Sequence, residues 1–98
     1  MKNGMIINEY GARVWWHHGK IHRSDGPAIE WKDGTRIWYC NGEHHRTDGP
    51  AMEWANGHRE WWLNDTQYTF AEWLKHNPTL DSKTRTLYTL RYSGKVSI

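Results

Sequence analysis

The chain has one cysteine, one phenylalanine and three prolines among 98 residues, and 13 Lys/Arg nearly balance 11 Asp/Glu. Each shortage excludes something. Cys40 alone can form neither an internal disulfide nor a thiolate zinc cluster, which fits a reducing cytosolic compartment. A formal net charge of +2 is too weak a bias for wrapping duplex nucleic acid. No apolar run approaches the roughly 18 residues of a membrane span, and Met1-Lys2-Asn3-Gly4 leads into no signal-peptide core. Tryptophan is what the chain has in excess. Eight of them, with five tyrosines and the one phenylalanine, bring aromatics to 14% while hydrophobic residues reach only 37%. One small domain is expected, its core dominated by rings that bury about 150–250 Å² each. Regularly spaced aromatics also argue against disorder.

The spacing is a repeat. Residues 11–33 laid over residues 34–56 match at 12 of 23 positions. Gly11, Arg13, Trp15 and Gly19 match Gly34, Arg36, Trp38 and Gly42. The segment from His22-Arg23 through Asp25-Gly26-Pro27-Ala28 to Glu30-Trp31 matches its copy from His45 to Trp54. The register continues to Gly57, Arg59, Trp61 and Asn64, and Ile6 falls on the position of Ile29, so the array covers residues 6–65.

Each unit reads as strands joined by tight turns. Asp33-Gly34, Asn41-Gly42 and Asn56-Gly57 signal two-residue hairpins, whose turns need positive φ at both central residues. A tip at Asp33-Gly34 pairs Trp31 with Arg36 and Ile29 with Trp38, and the copy at Asn56-Gly57 pairs Trp54 with Arg59 and Met52 with Trp61. Asn41-Gly42 pairs Tyr39 with His44 and Trp38 with His45. His18-Gly19 pairs Trp16 with Ile21 and Trp15 with His22. Alternation then predicts a core face of Ile29, Trp31, Arg36, Trp38 and His45 with the copies Met52, Trp54, Arg59 and Trp61. The strand arginines would lie across the tryptophan rings, a contact worth about 0.5–2 kcal/mol. The opposite face carries Glu30, Ile37, Tyr39, His44, Glu53, Glu60 and Trp62. Asn8 and Asn64-Asp65 read as end caps.

Beyond Asp65 the pattern stops. Thr69-Phe70-Ala71-Glu72 is a capping box with Phe70, Trp73 and Leu74 at helical spacing, ended by Asn77-Pro78. Asp81-Ser82 can cap a second helix with Leu80, Leu87 and Leu90 on one side, although Thr84, Thr86, Tyr88, Thr89 and Tyr92 favour a strand. The expected fold is therefore α+β. An antiparallel β-hairpin repeat meander spans residues 1–65, and a cap of one or two short helices spans residues 66–98 of the same domain.

The Gly11-x3-Trp15-x3-Gly19-x2-His22-Arg23-x-Asp25-Gly26-Pro27-Ala28 pattern and its second copy resemble a variant of the MORN repeat. The usual Gly-x-Gly segment is replaced by His-Arg-x-Asp-Gly-Pro-Ala. This variant is similar to small proteins of tailed bacteriophages and large viruses. The resemblance implies a β-hairpin array used for binding rather than catalysis, in the host cytoplasm.

Several groups are candidates for chemistry. His22/His45, Arg23/Arg46 and Asp25/Asp48 can be read as bases, phosphate clamps and orienting carboxylates. A motif that recurs in every repeat is more simply scaffold, its imidazoles bonding a turn and its carboxylates satisfying backbone donors. Neighbouring His17 and His18 point to opposite faces and cannot readily share one ion, so no metal is expected; no cofactor is expected either. Glu53 and Glu60 sit opposite each other in the expected register and can form an acid–base pair. Trp16, Tyr39 and Trp62 make an aromatic ladder beside Ile21, His44 and Gln67, which the C-terminal helix would partly cover. The residues expected to bind are Trp16, Tyr39, Trp62, His44, Arg23 and Arg46. The leading expectation is a non-enzymatic binding protein that occupies a host defence or toxin component, either a protein surface or a nucleotide-like signal. The alternatives are a small phosphodiesterase or nuclease using His45, Arg46 and Asp48, and a structural assembly unit. Open edge strands favour a homo-oligomer.

Overall fold

Two kinds of turn alternate along the chain, and they decide which residues share a face. A computed structural model describes residues 2–93. Its strands are β1 (Gly4–Ile7), β2 (Arg13–His17), β3 (Lys20–Ile21), β4 (Ile29–Glu30), β5 (Arg36–Ile37), β6 (Tyr39–Cys40), β7 (Glu43–His44), β8 (Met52–Glu53), β9 (Arg59–Leu63) and β10 (Thr66–Tyr68). The first kind of turn is the expected one. His18-Gly19, Asn41-Gly42 and Asn64-Asp65 have positive φ at both positions. They set Trp16 opposite Ile21, Tyr39 opposite His44 and Trp62 opposite Gln67.

The second kind differs from expectation. At residues 31–35 and 54–58 only Gly34 and Gly57 have positive φ. Gly34 N–H donates to Trp31 O (3.1 Å) and Trp31 N–H to Thr35 O (2.9 Å). That is a three-residue loop, a type I turn followed by a left-handed glycine. The Asp33 carboxylate accepts from Thr35 N–H (2.9 Å), and Asn56 does the same for His58. Ile29 therefore pairs with Ile37 and Glu30 with Arg36; Met52 pairs with Glu60 and Glu53 with Arg59. A shift of one residue moves the return strands to the other face, so the expected grouping of Ile29 and Met52 with Trp38 and Trp61 is incorrect. Trp31 and Trp54 open these loops instead of lining a core, and Trp31 is 37% exposed.

The sheet runs β1-β2-β4-β5-β8-β9-β10, with β3 beside β2 and β6-β7 as a separate pair. Gly42 N–H to Ile21 O (2.8 Å) and Asp65 N–H to His44 O (2.9 Å) link successive hairpins into one meander. Register and alternation give its two faces. On one, Trp15, Ala28, Trp38, Ala51 and Trp61 form a row, in which both alanines are fully buried between tryptophans. Alongside runs a charged row, Arg13, Glu30, Arg36, Glu53 and Arg59. The other face carries Ile6, Val14, Ile29, Ile37 and Met52, with Trp16, Tyr39 and Trp62 beside them. The molecule is elongated, 49 × 27 × 19 Å.

Past β10 the chain folds back over the tryptophan row. The Thr69 hydroxyl accepts from Glu72 N–H and the Glu72 carboxylate from Thr69 N–H, which starts α1 (Phe70–His76); Asn77 ends it. Trp73 on α1 is fully buried and packs on Trp61 (ring centroids 4.7 Å), and Phe70 closes from the side. Asp81 caps α2 (Ser82–Tyr88), which continues as a π-helical turn over Thr89–Ser93. The second element is thus helical. Its inward side, however, is Tyr88 and Tyr92, which contact Trp73 and Trp61. Leu87 and Leu90 are exposed rather than packed. Arg85 ties α2 to α1 through the Leu74 carbonyl.

Candidate functional site

The recurrent His-Arg-x-Asp-Gly-Pro segment is a clamp. Arg23 sits over the Trp15 ring (3.9 Å), donates through Nε to Asp25 (2.8 Å) and through Nη1 to Pro27 O (3.1 Å), and approaches Glu30 (3.8 Å). Arg46 repeats this on Trp38 (3.7 Å), with Asp48 (2.8 Å), Pro50 O (3.0 Å) and Glu53 (3.3 Å). Glycine gives each guanidinium room to sit close to the loop backbone. A Cβ at Gly49 would lie 2.7 Å from Arg46 Cζ, and one at Gly26 would lie 3.1 Å from Arg23 Cζ. The loop arginines roof the tryptophans more closely than the expected strand arginines: Arg36 keeps a long contact over Trp38 at 5.8 Å against 3.7 Å for Arg46, and Arg59 lies over Tyr92 instead. The arginines are the main partners of the aspartates; Arg23 holds the Asp25 carboxyl below the usual range first by hydrogen bonding and then by charge.

The histidines of the motif join neighbouring repeats. His22 Nδ1 accepts from Asn41 N–H (3.0 Å), and His45 Nδ1 from Asn64 N–H (2.9 Å). Each bond reaches the tip of the next hairpin and requires an unprotonated Nδ1. Both rings border a groove of about 560 Å³ between the two loops, which Tyr39, Cys40 and Thr47 also line. On its far side the second loop is covered: Trp73 Nε1 donates to Arg46 O (3.0 Å) and Asn77 Nδ2 to Thr47 O (2.7 Å).

The expected binding residues fall into two sets on opposite faces. Arg23 and Arg46 belong to the tryptophan row. Tyr39, His44 and Trp62 stack on the other face, with centroids 4.4 and 4.7 Å apart. Asp65 anchors this stack, accepting from His44 N–H (3.0 Å) and lying 3.1 Å from its Nδ1; the first contact chiefly lowers the Asp65 pKa. Burial, then Asp65, pushes the Tyr39 phenol up. Trp62 Nε1 donates to Glu60 (2.9 Å). Trp16 stands further along under Lys2 Nζ (4.4 Å). Contrary to expectation, the C-terminal helices do not cover this ladder, because Phe70 and Trp73 pack on Trp61, whose side chain points the other way from Trp62.

The facing carboxylate pair does not form. Glu53 sits opposite Arg59 and binds Arg36 and Arg46, whereas Glu60 sits opposite Met52. Among the described residues no three His, Cys, Asp or Glu side chains converge as a metal ion would need, and no helix is long and apolar enough to cross a membrane. Sequence reasoning placed Ile37 on the aromatic face but missed that Ile29 and Met52 join it there. No family model, curated protein or solved structure matches the chain.

Proposed function

We propose that this chain is a non-enzymatic binding protein acting by stoichiometric occupancy, with the Trp16, Tyr39, His44 and Trp62 face as its contact surface and a protein as its partner. One observation carries the reading. The stacked rings and the Ile29-Ile37-Met52 row share the face away from the helices, where they are half-buried by their neighbours alone. Tyr and Trp are the side chains that dominate protein interfaces. The Asp65 and Glu60 bonds hold the rings in place beforehand, which lowers the entropy lost on binding. Sequestration of a nucleotide is the weaker reading, since the arginines that would meet its phosphates lie on the opposite face and are already bonded. Turnover through His45, Arg46 and Asp48 is weaker still, with Asp48 held by Arg46 and His45 Nδ1 by Asn64. By its resemblance to small phage proteins, the chain would act on a host defence or toxin component in the host cytoplasm.

The test is affinity purification from the expressing host, followed by native mass spectrometry. Wild type should retain a protein in fixed ratio. Tyr39→Ala/Trp62→Ala should lose it with the fold intact, and Arg36→Ala on the opposite face should keep it. A retained nucleotide, or turnover of nucleotides beyond one equivalent, would contradict the proposal.

A further inference from the structure

Successive hairpins meet at two equivalent junctions closed by the same bonds. Between the first and second, His22 Nδ1 accepts from Asn41 N–H (3.0 Å), Ile21 O from Gly42 N–H (2.8 Å) and Tyr39 O from Arg23 N–H (3.4 Å). Between the second and third, His45 Nδ1 accepts from Asn64 N–H (2.9 Å), His44 O from Asp65 N–H (2.9 Å) and Trp62 O from Arg46 N–H (3.2 Å). The side chains around these bonds differ. The second junction has His44, its Nδ1 3.1 Å from the Asp65 carboxylate, where the first has Ile21 and Gly42. It has Cys40 and Asn41 where the first has two more imidazoles: His17, 5.5 Å from the His22 ring, and His18, 4.0 Å from His17.

We infer that the first junction is a hinge that opens in acid, while the second stays closed. A ring that takes a proton on Nδ1 turns from acceptor to donor and can no longer hold an amide N–H. Histidine does so between about pH 8 and about pH 5, so both asparagine bonds exist with neutral rings and are lost as the rings charge. At the second junction the same acid charges His44 against Asp65, an attraction that offsets the bond lost at His45. His76, across the Asn64 groove from His45, is stacked on Tyr68 and has the Glu72 carboxylate as a counter-charge. At the first junction nothing is gained. His17 and His18 become cations, and Lys20, paired with His17, already is one. In the groove beside His22, Arg23 and Arg46 are matched by Asp25 and Asp48 (2.8 Å each), His45 adds a like charge, and Tyr39 and Cys40 are uncharged in acid. The β2–β4 pairing remains, so the first hairpin swings on the sheet. Trp16 rides on that hairpin and Tyr39, His44 and Trp62 on the other two. Opening therefore separates Trp16 from the stack, a consequence that rests on the proposed binding face although the hinge itself does not.

Amide exchange of the intact chain, read by NMR as protection relative to the unfolded chain at the same pH, tests the hinge without any partner. From about pH 7.5 to about pH 5, Asn41 and Gly42 should lose protection about tenfold or more, and Asn64 and Asp65 less than about threefold. His22→Asn sets a carbonyl that does not titrate near the place of Nδ1, and should abolish the loss at Asn41. Asp65→Asn keeps an acceptor for His44 N–H without the charge, and should transfer the acid sensitivity to Asn64. This second variant tests the asymmetry even if His22→Asn fails to fold. Unchanged protection at Asn41, equal losses at the two junctions, or no new sensitivity at Asn64 in Asp65→Asn would overturn the inference.

Discussion

Trp15 and Trp38 lie under arginines, whereas Trp61, in the same row, lies under rings. The difference shows how a repeat is continued and how it is ended. A guanidinium on a tryptophan also binds the loop that carries it and the glutamate of the adjoining row, so each clamp leaves a polar edge on which another hairpin can build. At the third position the arginine is replaced by Thr69, which caps α1 instead. Phe70, Trp73 and Tyr92 then cover Trp61 down to 7% exposure.

The sharpest break in this comparison is Trp73→Ala. It removes a fully buried ring and the bond to Arg46 O, and should cost about 3–5 kcal/mol in urea unfolding. On a domain this small that is a large share of total stability. If the loss were under about 1 kcal/mol, α1 would not be the closing element. Next comes the clamp. Gly49→Ala should cost about 1–3 kcal/mol by pushing Arg46 off Trp38, and Gly26→Ala should cost less, because the first clamp is looser. Arg46→Met should likewise cost more than Arg23→Met, since Arg46 is the less exposed and has the shorter glutamate contact. Equal losses in the two copies would contradict the asymmetry.

The smallest effect is on pH. Asp25 and Asp65 are held below the usual 3.8 in the folded chain, by Arg23 and by His44 N–H respectively. Their stabilising contribution is complete above that value and is lost as pH falls through the lowered one. Urea midpoints should drop below about pH 4, and Asp25→Asn should flatten part of the fall. A midpoint independent of pH across that window would deny both interactions.

Much of the fold was legible because its signals are local. The asparagine-glycine and histidine-glycine turns, the capping box and the Asn77-Pro78 stop each follow from a few neighbouring residues. The Asp33-Gly34 and Asn56-Gly57 loops were misread because the same dipeptides serve a two-residue turn or the longer loop with a left-handed glycine. Tyr10 was the available clue. It stands where Asp33 and Asn56 stand, before Gly11, and a bulky residue there disfavours positive φ. With the register shifted, the Glu53/Glu60 pair was lost and the Ile29 row joined the aromatic ladder. The arginine roofs were illegible for another reason: Arg23 and Arg46 reach the tryptophans from loops, where strand alternation says nothing. In α2, leucine spacing misled because tyrosines four residues apart match the ring cluster they meet.

The claim on which the rest depends is that the recurrent histidines join hairpins and do no chemistry. Long-range ¹H–¹⁵N correlation of the imidazoles at neutral pH tests it directly. His22 and His45 should both appear as neutral rings with the proton on Nε2, and the Asn41 and Asn64 amides should exchange slowly with solvent. Rings averaging between tautomers, with fast exchange at both amides, would mean that the joints are open and the account is wrong.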